Sequence, residues 1–453
     1  MLTRRDFIQS AGAALFSITP NVSQMPSRGA NPKVVILGAG LAGLAAGYCL
    51  TQQGIHPTIL EARFRLGGRV FSHRIDADND LTVELGAEWI GASHERVLRL
   101  CEELGLTLRD NQFKPRLMYQ GQYFKQGEWD FSNQYKETFQ RLLNRYSQLS
   151  EPEKVKLDQI DWWRYLVNNG IQGRDLDIRE LLDSTDFGES IRFVSSFNAL
   201  DEYAASSPAN EMDFKIRGGN GELAQALAAK IGVSQILLNH AVVSVHQQAG
   251  KIEVVCANGN RVRADRVICT LPTFAIGQIN WQPALPQDKI AAINALQYSR
   301  IDKNVFLYKR RFWRDESFEL ITDGPIHYLY HATKHQQAQA GALTSYSVGD
   351  KADVLSKQSD EWRSTLIDTT LKPAFGTTRQ YLLKQVNCYW GDDPYTQGAY
   401  ALYGKDQWFK LRPILQRPLG QVYFAGEHLG DWQGFMEGAV ETGEQAASVV
   451  LET

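Results

Sequence analysis

The chain has 453 residues, too many for one hydrophobic core, so two domains are expected. The formal net charge is -3, charged residues make up 22%, and no long basic run occurs, which argues against a nucleic-acid partner. Five scattered cysteines (Cys49, Cys101, Cys256, Cys269, Cys388) include no Cys-x-x-Cys pair, so neither a disulfide framework nor a metal site is indicated.

The first element is a targeting segment. Thr3-Arg4-Arg5-Asp6-Phe7-Ile8-Gln9 has the twin-arginine export pattern, and the apolar run Ala11 to Ile18 follows it. That run is far shorter than the roughly 20 apolar residues a spanning helix needs. Export by the route that carries folded proteins is expected, to the periplasm or an equivalent lumen. No clean Ala-x-Ala site is present, so an uncleaved N-terminus would keep the protein at the membrane. Residues 1–30 are set aside as signal and linker.

Val34-Val35-Ile36-Leu37 reads as a buried strand, and Gly38-Ala39-Gly40-Leu41-Ala42-Gly43 as the turn into a helix that continues from Leu44 to Gln53. Gly38 allows the tight turn. Gly40 admits a pyrophosphate to the helix N-terminus, and Gly43 lets helix and strand pack closely. A second apolar run, Thr58-Ile59-Leu60, delivers Glu61 at the spacing of a ribose-binding carboxylate. The alternative is a glycine-rich turn that binds nothing. After Glu61-Ala62-Arg63 come Gly67-Gly68-Arg69, whose arginines can reach a second face of the pyrophosphate.

Val83 to Gly91 reads as a strand turning through small residues. A helix is expected from His94 to Leu104, stopped by Gly105. Residues 131–185 look helical, with Phe139, Leu142, Leu143 and Tyr146 at helical spacing. Phe214 to Gly221 opens a helix through Leu223, Leu227 and Ile231. Strand-like runs follow at Ile236 to Leu238, Ala241 to His246, Ile252 to Cys256 and Val262 to Thr270. Val422-Tyr423-Phe424 forms a last strand ending at Ala425-Gly426-Glu427-His428, and a helix begins near Met436. Its N-terminus carries roughly half a positive charge.

The glycine turn, the Gly67-Gly68-Arg69 segment and the C-terminal block Phe424 to Val440 resemble the flavin-containing amine oxidase family, which spans monoamine, polyamine and L-amino acid oxidases. The resemblance runs from about residue 33 to the C-terminus. It implies an α/β fold: an FAD-binding Rossmann-like domain of the GR2 type (31–90, 212–283 and 386–453) with an inserted α+β substrate domain (91–211 and 284–385). It implies FAD contacts at Gly38, Gly40, Gly43, Glu61, Ala62, Arg63, Gly68, Arg69, Gly86, Ala87, Glu88, Trp89, Val243, Gly426, Glu427 and the backbone of Met436. Trp390 to Tyr400 is similar to the segment beside the isoalloxazine. Monoamine oxidases place a flavin-bonding cysteine where this chain has Ala399, so FAD should be non-covalent. Tyr400 and Phe435 stand at the positions of two aromatic walls around the substrate amine, with ordinary core packing as the alternative. Lys303, in Ile301 to Leu307, matches the lysine that holds a water against flavin N5. A lone lysine in a strand would otherwise mark a solvated face.

The implied reaction is hydride transfer from an amine α-carbon to flavin, with Lys303, Trp390, Tyr400 and Phe435 at the centre. The leading substrate is an L-amino acid, because Glu202-Tyr203-Ala204-Ala205 and Ile216 to Asn220 look like the bacterial L-amino acid oxidases and dehydrogenases. Against it, Trp89 stands where long-chain L-amino acid oxidases carry a carboxylate-clamping arginine. Arg116 is a candidate substitute clamp, although its reading as a plain surface arginine is preferred. The second reading is a carboxylate-free amine: a monoamine, polyamine or nicotine-like heterocycle. A carotenoid-type desaturase or a non-catalytic flavin protein ranks last. Oxygen, a quinone or a cytochrome would accept the electrons, and a homodimer is an open expectation.

Overall fold

The computed structural model describes residues 31–453, so the twin-arginine segment lies outside the described residues. Among them, no helix is long and apolar enough to cross a membrane.

Five parallel strands form one sheet, in the order Val422–Phe424, Arg266–Cys269, Val34–Leu37, Thr58–Leu60, Ile236–Leu237. Its middle strand, Val34–Leu37, is buried throughout, as a parallel strand covered on both faces must be. Helices Leu41–Gln52, Gly221–Ile231 and Met436–Glu452 share one apolar cluster with it. The run Val262 to Thr270 is two strands rather than one. Arg261–Ala264 joins a four-stranded sheet, and Arg266–Cys269 joins the parallel one. The break falls at Asp265, whose N–H donates to Lys33 O (2.7 Å) while its carboxylate accepts from Lys33 N–H (2.9 Å). This pair of hydrogen bonds pins the chain to the start of the central strand.

The second large sheet has seven strands: Leu382–Tyr389, Ile301–Tyr308, Gly341–Val348, Tyr328–His331, Phe318–Thr322, Lys114–Tyr119 and Gln122–Phe124. Leu382–Tyr389 pairs along Ile301–Tyr308, so one strand of this sheet spans residue 386. Both faces of this sheet are covered, and every residue of Ile301–Tyr308 and Gly341–Val348 is buried. Polar side chains there must therefore find partners inside the protein. The helical stretch resolves into Asn133–Tyr146, Glu151–Asp158, Trp162–Asn168 and Gly173–Phe187. Ser132 caps the first of these, accepting from Tyr135 N–H (3.1 Å).

The glycine turn is as tight as its spacing suggests. Gly38 has φ +100, and a Cβ added at Gly43 would lie 2.0 Å from Gly38 O. Gly43→Ala should therefore force strand and helix apart and lower stability by about 1–3 kcal/mol. Thermal unfolding of the FAD-free protein measures it. An unchanged Tm would contradict the packing role.

Candidate active site

A cavity of about 410 Å³ extends from the glycine turn to the interface between the two large sheets. At its first end the helix Leu41–Gln52 starts at Gly40 with no side-chain cap and no acidic residue in its first turn. Its leading N–H groups are thus left for an outside anion. A Cβ placed on Gly40 meets nothing within 4 Å. Buried Glu61 accepts from Ala39 N–H and Arg63 N–H, each at 2.8 Å, one bond per oxygen. Each oxygen keeps a lone pair for a hydroxyl. This end fits a dinucleotide: N–H groups for its pyrophosphate, open space above Gly40, and a carboxylate for its ribose.

Midway, Glu427 ties three segments together. It pairs with Arg69, accepts from Ala401 N–H (3.3 Å) and accepts from Gly434 N–H (2.8 Å). Burial acts upward on its pKa, but Arg69 and His428 outweigh that and hold it below the usual carboxylate range. Arg63 pairs with Asp393 at 2.5 Å. The helix Met436–Glu452 begins here, again without a side-chain cap.

At the centre, the Lys303 ammonium is 2% exposed. It donates to Gly86 O at 2.7 Å and lies 3.2 Å from Tyr330 OH, 3.3 Å from Glu84 O and 3.5 Å from Glu88 Oε2. Burial pulls its pKa below the ordinary lysine range, with Glu88 and Glu84 opposing. Trp390 Nε1–H donates to Leu85 O at 2.8 Å. The same short turn, Glu84 to Gly86, therefore anchors both side chains.

The aromatic walls are braced from behind. Tyr400 OH donates to the Asp186 carbonyl. Phe435 packs edge-on against Trp432 (5.7 Å) and His94 (5.1 Å). His94 is fully buried; its Nδ1 accepts from Gly91 N–H at 2.9 Å, which leaves Nε2–H to face Glu211 at 3.2 Å. Trp89 packs on Tyr330 (5.5 Å), and its buried Nε1–H has no partner among the described residues.

Beyond the walls the lining turns acidic, with Asp186, Glu202 and Glu211 beside Asn210 and Met212. Asp186 accepts from Tyr203 OH (2.9 Å) and Asn210 Nδ2–H (3.0 Å). Burial, reinforced by Asp183, pushes its pKa up to about 7. Every lysine and arginine of the lining lies elsewhere: Arg63, Arg69 and Lys303.

Of the residues expected from the sequence, Gly38, Gly40, Glu61, Ala62, Arg63, Gly68, Arg69, Gly86, Ala87, Glu88, Trp89, Lys303, Trp390, Tyr400, Gly426, Glu427, Phe435 and Met436 all line this cavity. Gly43 does not; it packs against Gly38. Val243 turns outward at 43% exposure, and its neighbour Val242 lines the cavity instead, one step along the strand. Arg116 is corrected. It lies outside the lining, bonds Asp315 at 2.7 Å and stacks over Phe318, so it clamps no substrate there. Asp186, Glu211, Tyr330, Lys215 and His94 were not anticipated. One signal was available for the acidic end. Helix Gly173–Phe187 carries an Arg179–Asp183 pair four residues apart on its buried stripe, where periodicity calls for apolar residues.

A sequence profile of flavin containing amine oxidoreductases matches residues 41–451. A probable flavin-containing monoamine oxidase A of Dictyostelium discoideum is 25% identical over 92% of this chain and 97% of its own length. A flavin-dependent L-tryptophan oxidase of Lentzea aerocolonigenes is 26% identical over 94% and 98%. In fold, the chain is similar to cyclohexylamine oxidase from Brevibacterium oxydans, with TM-score 0.83, 20% identity, and 93% and 99% of the two chains covered. A putrescine oxidase solved with putrescine bound superposes with TM-score 0.82 at 21% identity, covering 93% and 99%.

The open space above Gly40 yields a direct test. Gly40→Ala should leave the FAD-free protein as stable as wild type and weaken FAD binding at least tenfold, equivalent to about 1.4 kcal/mol. A fluorescence titration with FAD measures this. Equal affinity would place the pyrophosphate elsewhere.

Proposed function

The chain belongs to the flavin containing amine oxidoreductases, FAD enzymes of amine oxidation, and from that footing we propose that it oxidises a carboxylate-free amine carrying a second cationic group. The observation behind this reading is the sign of the charge beyond the aromatic walls. Asp186, Glu202 and Glu211 line that end, and the lining offers no arginine beside them. A carboxylate would meet like charge there, whereas an ammonium would meet its opposite. The L-amino acid reading keeps one point in its favour, the L-tryptophan oxidase among the relatives.

In this reading Tyr400 and Phe435 flank the reacting amine and keep water from it. Asp186 and Glu202 hold the distal ammonium, which fixes the reacting carbon in place. FAD, when bound, supplies the acceptor for the hydride of the carbon–hydrogen bond. Lys303 would hold a water in place of one of its longer contacts, at 3.3–3.5 Å. The amine must be deprotonated before the carbon–hydrogen bond breaks, so kcat/KM should rise with pH. FAD is held without a covalent bond, because Ala399 presents only a methyl group to the cavity.

Three outcomes follow from this assignment. Acid precipitation should leave yellow flavin in the supernatant; colour in the pellet would contradict the role of Ala399. An aliphatic diamine should show kcat/KM at least tenfold above the monoamine of equal length, and Asp186→Asn should remove most of that advantage. An L-amino acid that outpaces its own decarboxylated amine would overturn the substrate reading. The third outcome concerns pH. Burial raises the Asp186 pKa to about 7, so its carboxylate is fully charged only above that pH. The KM for the diamine should fall as pH rises through about 7, and this limb should vanish in Asp186→Asn. Steady-state assays that follow peroxide and dye reduction in parallel measure the rates with either class of acceptor.

A further inference from the structure

We propose that Glu88, in the cavity lining, and Lys215, behind it and outside the cavity, form a charge pair that sets the protonation state of Lys303. This rests on the reading that Lys303 stands beside the bound flavin. The geometry is uneven in a way that bare stabilisation does not require. Glu88 Oε1 takes Lys215 Nζ at 2.7 Å, while Oε2 takes Tyr330 OH at 2.9 Å and Lys303 Nζ only at 3.5 Å. Lys215 is thus the closer claimant on Glu88, and Lys303 receives what that carboxylate has left. Lys215 itself does not line the cavity.

The other groups around Lys303 are accounted for. The Glu84 carboxylate is engaged by Ser72 OH (2.7 Å) and Asn220 N–H (2.9 Å), and it stands 3.8 Å from Lys215. Trp89, Tyr330 and Tyr346 present their rings to the ammonium at 5.7–5.9 Å. Cys388 faces it from the neighbouring strand. Burial acts upward on the Glu88 pKa, yet Lys215 and Lys303 together hold it below the usual carboxylate range, so it is an anion between two lysines. Burial and the like charge of Lys215 both favour a neutral Lys303, whereas Glu88 and Glu84 favour the ammonium. Glu88 and Lys215 are therefore positioning residues that act on Lys303 in opposite senses.

Opposite signs make the idea testable. The midpoint potential of the flavin in the FAD-loaded protein is measured against pH, alongside FAD content and Tm. Wild type should show a bend where Lys303 titrates, and Lys303→Met should remove it. Glu88→Gln deletes the attractive charge and should move the bend down by at least one pH unit. Lys215→Met deletes the repulsive charge, releases Glu88, and should move the bend up; Lys215→Arg should restore the wild-type position. If Glu88→Gln does not fold, Glu88→Asp keeps the charge but withdraws it, and should also move the bend down. If the bend survives Lys303→Met, the placement of Lys303 at the flavin fails, and the inference fails with it. If Lys303→Met removes the bend but Glu88 and Lys215 variants leave it in place, or shift it in the same direction, only the charge-pair inference is overturned.

Discussion

Burying an ammonium costs several kcal/mol unless its N–H groups meet acceptors and its charge meets an opposite one. Lys303 meets both conditions through Gly86 O, Glu84 O, Tyr330 OH and the Glu88 carboxylate. Two of these acceptors are backbone carbonyls of the turn that follows strand Leu81–Glu84. The lysine itself sits on the second strand of the seven-stranded sheet, a strand with no exposed residue. Satisfying one buried charge therefore registers the seven-stranded sheet on the Glu84 to Gly86 turn. Trp390 reinforces the register through Leu85 O, and Glu427 does the same further along by joining Arg69, Ala401 and Gly434. The aromatic walls inherit their positions from these attachments.

Along the cavity the charge changes character. At the dinucleotide end, backbone N–H groups and arginines suit a pyrophosphate. At the centre, cations and anions are matched, with Arg69 on Glu427 and Lys303 on Glu88. At the far end the lining is acidic. A diphosphate-bearing cofactor and a cationic substrate would each enter the half that attracts it. Trp89, Tyr346, Tyr400 and Phe435 also line the cavity, and the low local dielectric of a buried site strengthens these charge interactions.

Much of this was legible in the sequence where local chain geometry dictates the residue. Gly38, Gly40 and Gly43 report backbone approach, and Glu61 follows from the end of a short strand, so spacing alone locates them. The resemblance carried Lys303, Trp390, Tyr400 and Phe435 to one cavity although they lie far apart in the chain. What stayed hidden depends on distant packing. Nothing near Lys215 in the sequence signals that it reaches Glu88, and Asp186 reaches the lining only because its helix ends at the cavity wall. Val262 to Thr270 looked like one strand because no glycine or proline interrupts it, yet Asp265 is the point where the chain leaves one sheet for another. Arg116 was a weak clamp candidate in the sequence, and its pairing with Asp315 removes it from the site.

The central claim is that this cavity brings an amine without a carboxylate to the flavin. The most direct measurement is anaerobic mixing of the purified, FAD-loaded protein with aliphatic mono- and diamines, followed by visible absorbance in a stopped-flow instrument. The account predicts that the flavin band bleaches in a single turnover, faster with the diamine, and that an aldehyde can be recovered in equal amount. A band that stays yellow with every such amine, in protein shown to hold its full complement of FAD, would contradict it.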